Sequence, residues 1–402
     1  MNDQAYDGID PRALGPRIQA ARKAKGISQQ TLAADLGVSR PVYINIEKGQ
    51  RRVRADELIR IAELVDCTVH ELQRRREPVH EFAPLFRTRS TRLREADADI
   101  ERAAAQLQQL CDDYVELETI RRSPLKTDYP APHTLHGRDQ STAAELIADS
   151  ERRRLGMGDG PVANLRQLLE AEAGLRVFLL DLRSPIAGLF VFAEPVGACI
   201  GLQRNHPAER QKWTLAHEYA HFLTHRHDAE VTVLQRSPRD SDKERFADAF
   251  AANFLMPEYG LKRRFAELLQ SNKAVTVGAM VALADAYGVS FEAISLRLEG
   301  LRLIRSGTWD SLQQRGFRVT QAKDILGLPA RSKERELPER YVIMAAQAFD
   351  DGQISEGELM RFLRTDRQQA REMVRDMNGR WAVTSDGSAG ELQLNLAEAV
   401  TR

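Results

Sequence analysis

A short run near the middle of the chain, Thr214-Leu-Ala-His217-Glu218-Tyr-Ala-His221-Phe-Leu-Thr-His225, dictates a buried helix with two imidazoles on one face. Side chains four apart share a helix face, so His217 and His221 can aim at one ion while Glu218 stands beside them as a base for water. Leu215, Ala216, Ala220 and Phe222 supply the apolar packing such a helix needs. A hydrolytic metal site requires a third protein ligand and one open position. His225 continues the spacing, but on a straight helix it lies roughly 12 Å along the axis from His217, and ligands sit about 2 Å from an ion. Glu244 is the better candidate. It lies on a second helix predicted to begin near Ser241, four residues before Asp248 and among Phe246, Ala247, Phe250, Ala251 and Phe254. One carboxylate can bind the ion while the other accepts the free N–H of a ligand histidine. The pattern therefore predicts His217, His221 and Glu244 as ligands, Glu218 as general base and Asp248 as the residue that orients an imidazole. Zinc is the expected ion, with another divalent metal such as Mn2+ as the alternative. His206 and His227 read as surface histidines, and no residue for oxyanion stabilisation is legible.

At 402 residues the chain has room for several compact units. Its 58 basic and 58 acidic residues cancel, which hides any local polarity. Three scattered cysteines, Cys67, Cys111 and Cys199, form no CxxC pair, so neither a disulfide framework nor a thiolate zinc site is written here. No apolar run approaches the roughly 18 residues of a membrane helix, and no leader pattern opens the sequence, so a cytoplasmic protein without membrane contact is expected. The fold class read from the pattern is mainly α with a small antiparallel β-sheet, in several domains. Residues 12–73 read as five short helices. Residues 92–121 form a Gly- and Pro-free helix with apolar positions at Leu93, Ala96, Ile100, Ala103, Leu107, Leu110, Tyr114 and Leu117. That heptad spacing fits either a coiled-coil seam, hence a homodimer, or one amphipathic helix packed on the next domain. Ser123–Gln140 reads as linker. Residues 143–305 resume globular patterning, with strands at Arg176–Leu180, Ile186–Ala193 and Ala198–Leu202. Residues 306–402 suggest a further small winged or helical module without assignable chemistry. Asp350–Glu358 superficially suggests a calcium loop, but its ligand spacing is wrong. No internal repeat of fixed period is visible.

In the first region, Ser28 and Ser39 are natural N-caps, Gly37 permits a tight turn, and Pro41 falls in a first helical turn where a missing N–H is tolerated. Between Arg12 and Arg60 stand 11 basic and 4 acidic residues, a phosphate-binding balance. The stretch Ile27-Ser-Gln-Gln-Thr-Leu-Ala-Ala-Asp-Leu-Gly-Val-Ser-Arg-Pro-Val-Tyr-Ile-Asn-Ile-Glu-Lys-Gly resembles the Xre/Cro-type helix-turn-helix repressors. The resemblance implies that Arg40, Ile44 and Asn45 face base edges, with Pro41 and Val42 nearby, and that Gln29, Lys48, Arg51 and Arg52 touch phosphates. It also places Tyr43 and Ile46 in the core. Ile44 departs from the polar residue often found at its position. Such heads usually bind paired half-sites of an operator as dimers. The segment 93–118, with 8 acidic and 2 basic residues, would not itself lie along DNA.

The stretch Arg210-Gln-Lys-Trp-Thr-Leu-Ala-His-Glu-Tyr-Ala-His-Phe-Leu-Thr-His, together with the later Glu-Arg-Phe-Ala-Asp-Ala-Phe-Ala-Ala-Asn-Phe-Leu-Met-Pro, resembles the ImmA/IrrE-type metallopeptidases. The likeness runs over about residues 160–305. It implies a cytoplasmic zinc peptidase with a gluzincin-like site that cleaves a helix-turn-helix repressor or antitoxin-like protein to control stress or mobile-element genes. The alternative is a non-proteolytic regulator that uses the same fold as a sensor or partner-binding module; the intact Glu218 favours the enzyme.

Overall fold

The computed structural model describes residues 11–65, 67, 69, 72, 82, 97–135, 139–182, 186–194, 196–228, 230–233, 242–272, 274–329, 334–378, 381–383 and 389–391. The chain divides into two compact units, Met1–Val79 and His80–Arg402.

The first unit comprises helices Pro11–Ala24, Gln29–Asp35, Arg40–Glu47 and Ala55–Leu64. Of the fifth predicted helix only Val69 and Leu72 are described. Ser28 accepts a hydrogen bond from the Thr31 N–H, and Gly37 takes the left-handed conformation at φ 69° that the turn between the second and third helices requires. Tyr43 and Ile46 are buried, as expected. A buried carboxylate is tolerable only with partners, and Glu47 has them: Arg22 Nε donates to Oε1 at 2.6 Å and Gln29 Nε2 to Oε2 at 2.7 Å. Burial works against ionisation of Glu47, but these donors hold its carboxyl below the ordinary range.

The second unit is organised by a four-stranded sheet of β1 (Arg176–Leu180), β2 (Ile186–Ala193), β3 (Gly197–Gln203) and β4 (Glu230–Val233), in the order β1-β3-β2-β4. The small sheet is mixed rather than antiparallel. Strands β2 and β3 form the expected antiparallel pair, but β1 runs parallel to β3, with Arg176 opposite Cys199. Reading successive strands as successive hairpins overlooked that β3 fills the slot between β1 and β2. Nearly every residue of β1, β2 and β3 is buried, the signature of a sheet covered on both faces. Val177, Leu179, Phe190 and Ile200 face one core, and Phe178, Leu180, Leu189 and Val191 face the other.

The first face is covered by helices Gln140–Arg154, Leu165–Ala173, Ala208–His225 and Asp242–Leu255, and the same core extends into helices Val277–Tyr287 and Phe291–Gly300. The second face is covered by the long helix, Asp97–Ile120, and by residues 337–374. Ile100, Ala103, Leu107, Leu110, Tyr114 and Leu117 of the heptad seam are all buried within this unit, together with Ala104 and Cys111. Three buried positions per heptad make the wide stripe of a core helix, not the two-position seam of a coiled coil. The seam is thus used inside the chain; Leu93 and Ala96 lie outside the described residues. The acidic groups of this helix also meet partners within the unit. Glu118 is 2.7 Å from Arg176 and 3.2 Å from Arg340, and Asp113 accepts from Arg361 at 3.0 Å.

Residues expected as linker carry structure. Tyr129 packs edge-on against Phe192 and Phe222, donates to the Gly174 carbonyl at 3.0 Å and accepts from the Ala198 N–H at 3.2 Å. Residues 337–374 share a core with the sheet instead of building one alone. Phe362→Ala and Leu107→Ala should therefore each cost about 3 kcal/mol or more in one and the same unfolding transition, measured by urea denaturation with fluorescence and circular dichroism. A Phe362→Ala loss confined to a separate transition would refute the shared core.

Candidate metal centre

The motif helix Ala208–His225 begins after Pro207, carries Glu209 in its first turn where the helix dipole favours an anion, and is buried from Thr214 to Thr224. Both histidines are among the most enclosed side chains of the molecule, His217 at 5% and His221 at 1% exposure. The helix runs unbroken through His225, which keeps that residue a turn beyond the pair, where its Nδ1 meets Thr224 Oγ1 at 2.8 Å. Helix Asp242–Leu255 packs against the motif helix through Phe250 and Phe254, whose stacked rings contact Tyr219, with Phe246 buried beside them. That packing turns the opposite edge of the second helix, with Glu244 and Asp248, toward the histidines.

His217, His221 and Glu244 each offer a ligand atom, and these atoms lie within 4.8 Å of one another. The two Nε2 atoms are 3.2 Å apart, and Glu244 comes to 3.2 Å from His217 Nε2 and 3.5 Å from His221 Nε2. Two ligands about 2.05 Å from one ion at a tetrahedral angle are separated by about 3.3 Å, so the donor set fits zinc. Asp248 Oδ1 is 3.2 Å from His217 Nδ1, the position from which a carboxylate fixes an imidazole tautomer with Nε2 directed at the ion. His217, His221, Glu244 and Asp248, four of the five predicted residues, are thus brought together.

The electrostatics agree with a cation-binding pocket. Burial alone would lower the pKa of His217, but hydrogen bonds to Asp248 and Glu244 and the nearby charges of Glu218 and Glu244 raise it to about 10. Burial and repulsion from His217 push His221 down to about 3. The carboxylates thus draw one positive charge to the histidine pair, the charge that a bound cation would replace.

Glu218 is fully buried against β2. A Cβ at Gly188 of that strand would sit 2.7 Å from Glu218 Oε1 and 2.8 Å from Thr214 Cγ2, so only glycine leaves room for the acid. Gly188 went unnoticed in the sequence, although a lone glycine inside an apolar strand signals just such a close approach. Tyr219, on another face of the same helix, donates to Glu151 at 2.6 Å, and Arg154 caps that pair. These buried polar contacts anchor the motif helix from behind.

In the first unit, Arg40, Asn45, Lys48 and Arg52 are exposed and Ile44 is half-buried. Gln29 and Arg51 are engaged elsewhere. Gln29 serves Glu47, and Arg51 makes two hydrogen bonds to Glu57 at 2.8 and 3.0 Å, while the Arg54 N–H donates to the same carboxylate. Both side chains remain partly exposed beside these contacts.

Comparison with known families gives two matches. Residues 170–299 match the IrrE N-terminal-like domain of the Peptidase_M78 family, and residues 18–72 match a helix-turn-helix domain. No curated protein matches the chain. Asp248→Asn should weaken zinc binding about 10–100-fold with little change in melting temperature, measured by competition with a chromogenic chelator. Unchanged affinity would remove Asp248 from the site.

Proposed function

Because a helix-turn-helix domain and an IrrE N-terminal-like peptidase domain occur in one chain, we propose a DNA-binding zinc metallopeptidase that hydrolyses a peptide bond in a partner protein. The partner we infer is a helix-turn-helix repressor or antitoxin-like protein, cut to control transcription in a stress response or of a mobile element. The observation that carries the reading is Glu218, an acid kept fully buried beside a three-residue metal triad. A site that only bound metal or partner would have no use for such an acid.

His217, His221 and Glu244 would hold the metal, and Asp248 would keep His217 in the tautomer that binds. Zinc there supplies Lewis acidity, which polarises a carbonyl and lowers the pKa of water to about 7. Glu218 accepts the proton of the attacking water on its carboxylate and delivers it to the departing amine nitrogen as the C–N bond breaks, which leaves a carboxylic acid and an amine. Its burial excludes solvent, so the proton stays in the reacting group. Glu244 is 39% exposed on its side chain, which leaves one flank of the centre open to a substrate. Among the described residues β4 pairs with β2 alone and stands at the sheet's edge, so an extended peptide can add to it as a further strand. The strands preceding the motif helix are less suited to this role, since β2 and β3 lie inside the sheet and the Leu179 N–H on the β1 edge already donates to the Glu336 carbonyl.

In the head, Arg40 and Asn45 read base edges, with Ile44 packing beside them, while Lys48 and Arg52 meet phosphates. Gln29 and Arg51, held by Glu47 and Glu57, meet phosphates as well. A dimer on an operator remains the expected arrangement, with its contacts outside the long helix.

Zinc-loaded protein should cut a repressor encoded beside its gene, and Glu218→Gln should slow that cleavage about 10²–10⁴-fold while retaining zinc. Equal cleavage by the two proteins, followed by mass spectrometry of the products, would remove Glu218 as the base. An Arg40→Ala, Asn45→Ala protein should lose about 1–3 kcal/mol of operator binding per lost base contact in a gel-shift titration. A shift as strong as that of the unaltered protein would sink the recognition-helix assignment.

A further inference from the structure

Helices Glu339–Asp350, Glu356–Leu363 and Arg367–Asn378 pack on one another and are followed by an antiparallel hairpin of Trp381–Val383 and Ala389–Glu391. This is the order of a winged helix: three helices and then a two-stranded wing. Around its second and third helices, five residues of the head's motif recur at one constant separation. Ile27, Ser28, Leu32, Leu36 and Arg40 correspond to Ile354, Ser355, Leu359, Leu363 and Arg367.

The backbone repeats as well. The Leu32 N–H donates to the Ser28 carbonyl and Leu359 to Ser355; Gly37 donates to Ala34 and Arg364 to Arg361. Likewise Val38 donates to Ala33 and Thr365 to Met360, while Tyr43 donates to Ser39 and Ala370 to Asp366. Ser355 accepts from the N–H three residues on, as Ser28 does, and Asp366 accepts from Gln369 to cap the last helix. The turn needs a left-handed residue in both copies, Gly37 at φ 69° and Arg364 at φ 51°. Arginine is disfavoured there by about 1 kcal/mol, and its guanidinium is directed to Asp113, at 3.7 Å.

Buried positions correspond too: Leu32 with Leu359 and Tyr43 with Ala370. The face proposed to read DNA in the head, Arg40, Ile44, Asn45 and Lys48, therefore corresponds to Arg367, Arg371, Glu372 and Arg375, all exposed, with Gln368 beside them donating to Glu372 at 3.0 Å. The geometry points to a second double-stranded DNA contact on this chain, made by helix Arg367–Asn378. Two observations select DNA as the occupant: the motif geometry shared with the head, and three exposed arginines on one face, donors that match phosphate and the major-groove edge of guanine, with the single acid among them, Glu372, paired to Gln368. Arg367 and Arg371 are held by Glu356, at 2.9 Å from Arg367, an exposed pairing that a phosphate can replace at little cost. The element lies outside the matched families, and the inference rests on the proposed DNA reading of the head.

The test uses full-length protein whose head is silenced by Arg40→Ala, Lys48→Ala and Arg52→Ala, titrated with a fluorescent mixed-sequence duplex at several salt concentrations. Residual binding is expected, and further substitution of Arg367, Arg371 and Arg375 by Ala should weaken it at least about tenfold and flatten the salt slope by about 2–3. Glu356→Gln, which frees two arginines, should tighten it. Unchanged thermal melting verifies that these surface variants fold. Absence of residual binding, or residual binding indifferent to the three arginines, would overturn the assignment and leave this face to a protein partner.

Discussion

Strands that are apolar at nearly every residue can face water on neither side, and the second unit is arranged around that requirement. One face of β1, β2 and β3 takes the motif helix and its neighbours, and the other takes the long helix and residues 337–374. At about 25 cal/mol per Å² of apolar surface, leaving either face open would cost more than a domain's whole margin of stability. The candidate metal centre depends on this arrangement. The motif helix is fixed against a rigid sheet, and Gly188 lets it approach until Glu218 lies against the β2 backbone.

Charge follows burial. The head's Glu47 is buried with Arg22 and Gln29, and the long helix presents Asp113 and Glu118 to Arg361, Arg176 and Arg340. The acidic stretch of the long helix is one half of an ion-paired interface with residues from the end of the second unit. Such pairs are weak evidence for stability, but a missing partner would leave a buried charge costing several kcal/mol, so they fix how the helices register.

Much of the candidate site was legible. Four-residue spacing brought His217 to His221 and Glu244 to Asp248, and helix geometry is local enough for spacing to specify a face. The rejection of His225 as a ligand followed from the same rise per residue. Gly188 was not found, because its significance lies in what approaches it from another element. The contacts of Gln29 to Glu47 and of Arg51 to Glu57 were illegible for a similar reason: the buried acids lie on other elements.

The sequence by itself determined the periodic and the local: which stretches are helices, which faces are apolar, where caps and tight turns fall, and which imidazoles and carboxylates share a helix face. Only the tertiary structure decided what covers what. A heptad stripe suits a second copy of the helix or a sheet equally well, and apolar strands declare that both faces are covered without naming the cover. Burial is non-directional and indifferent to separation along the chain, so the pairing of Leu107 with a strand, or of Asp113 with Arg361, is written only in the packed molecule.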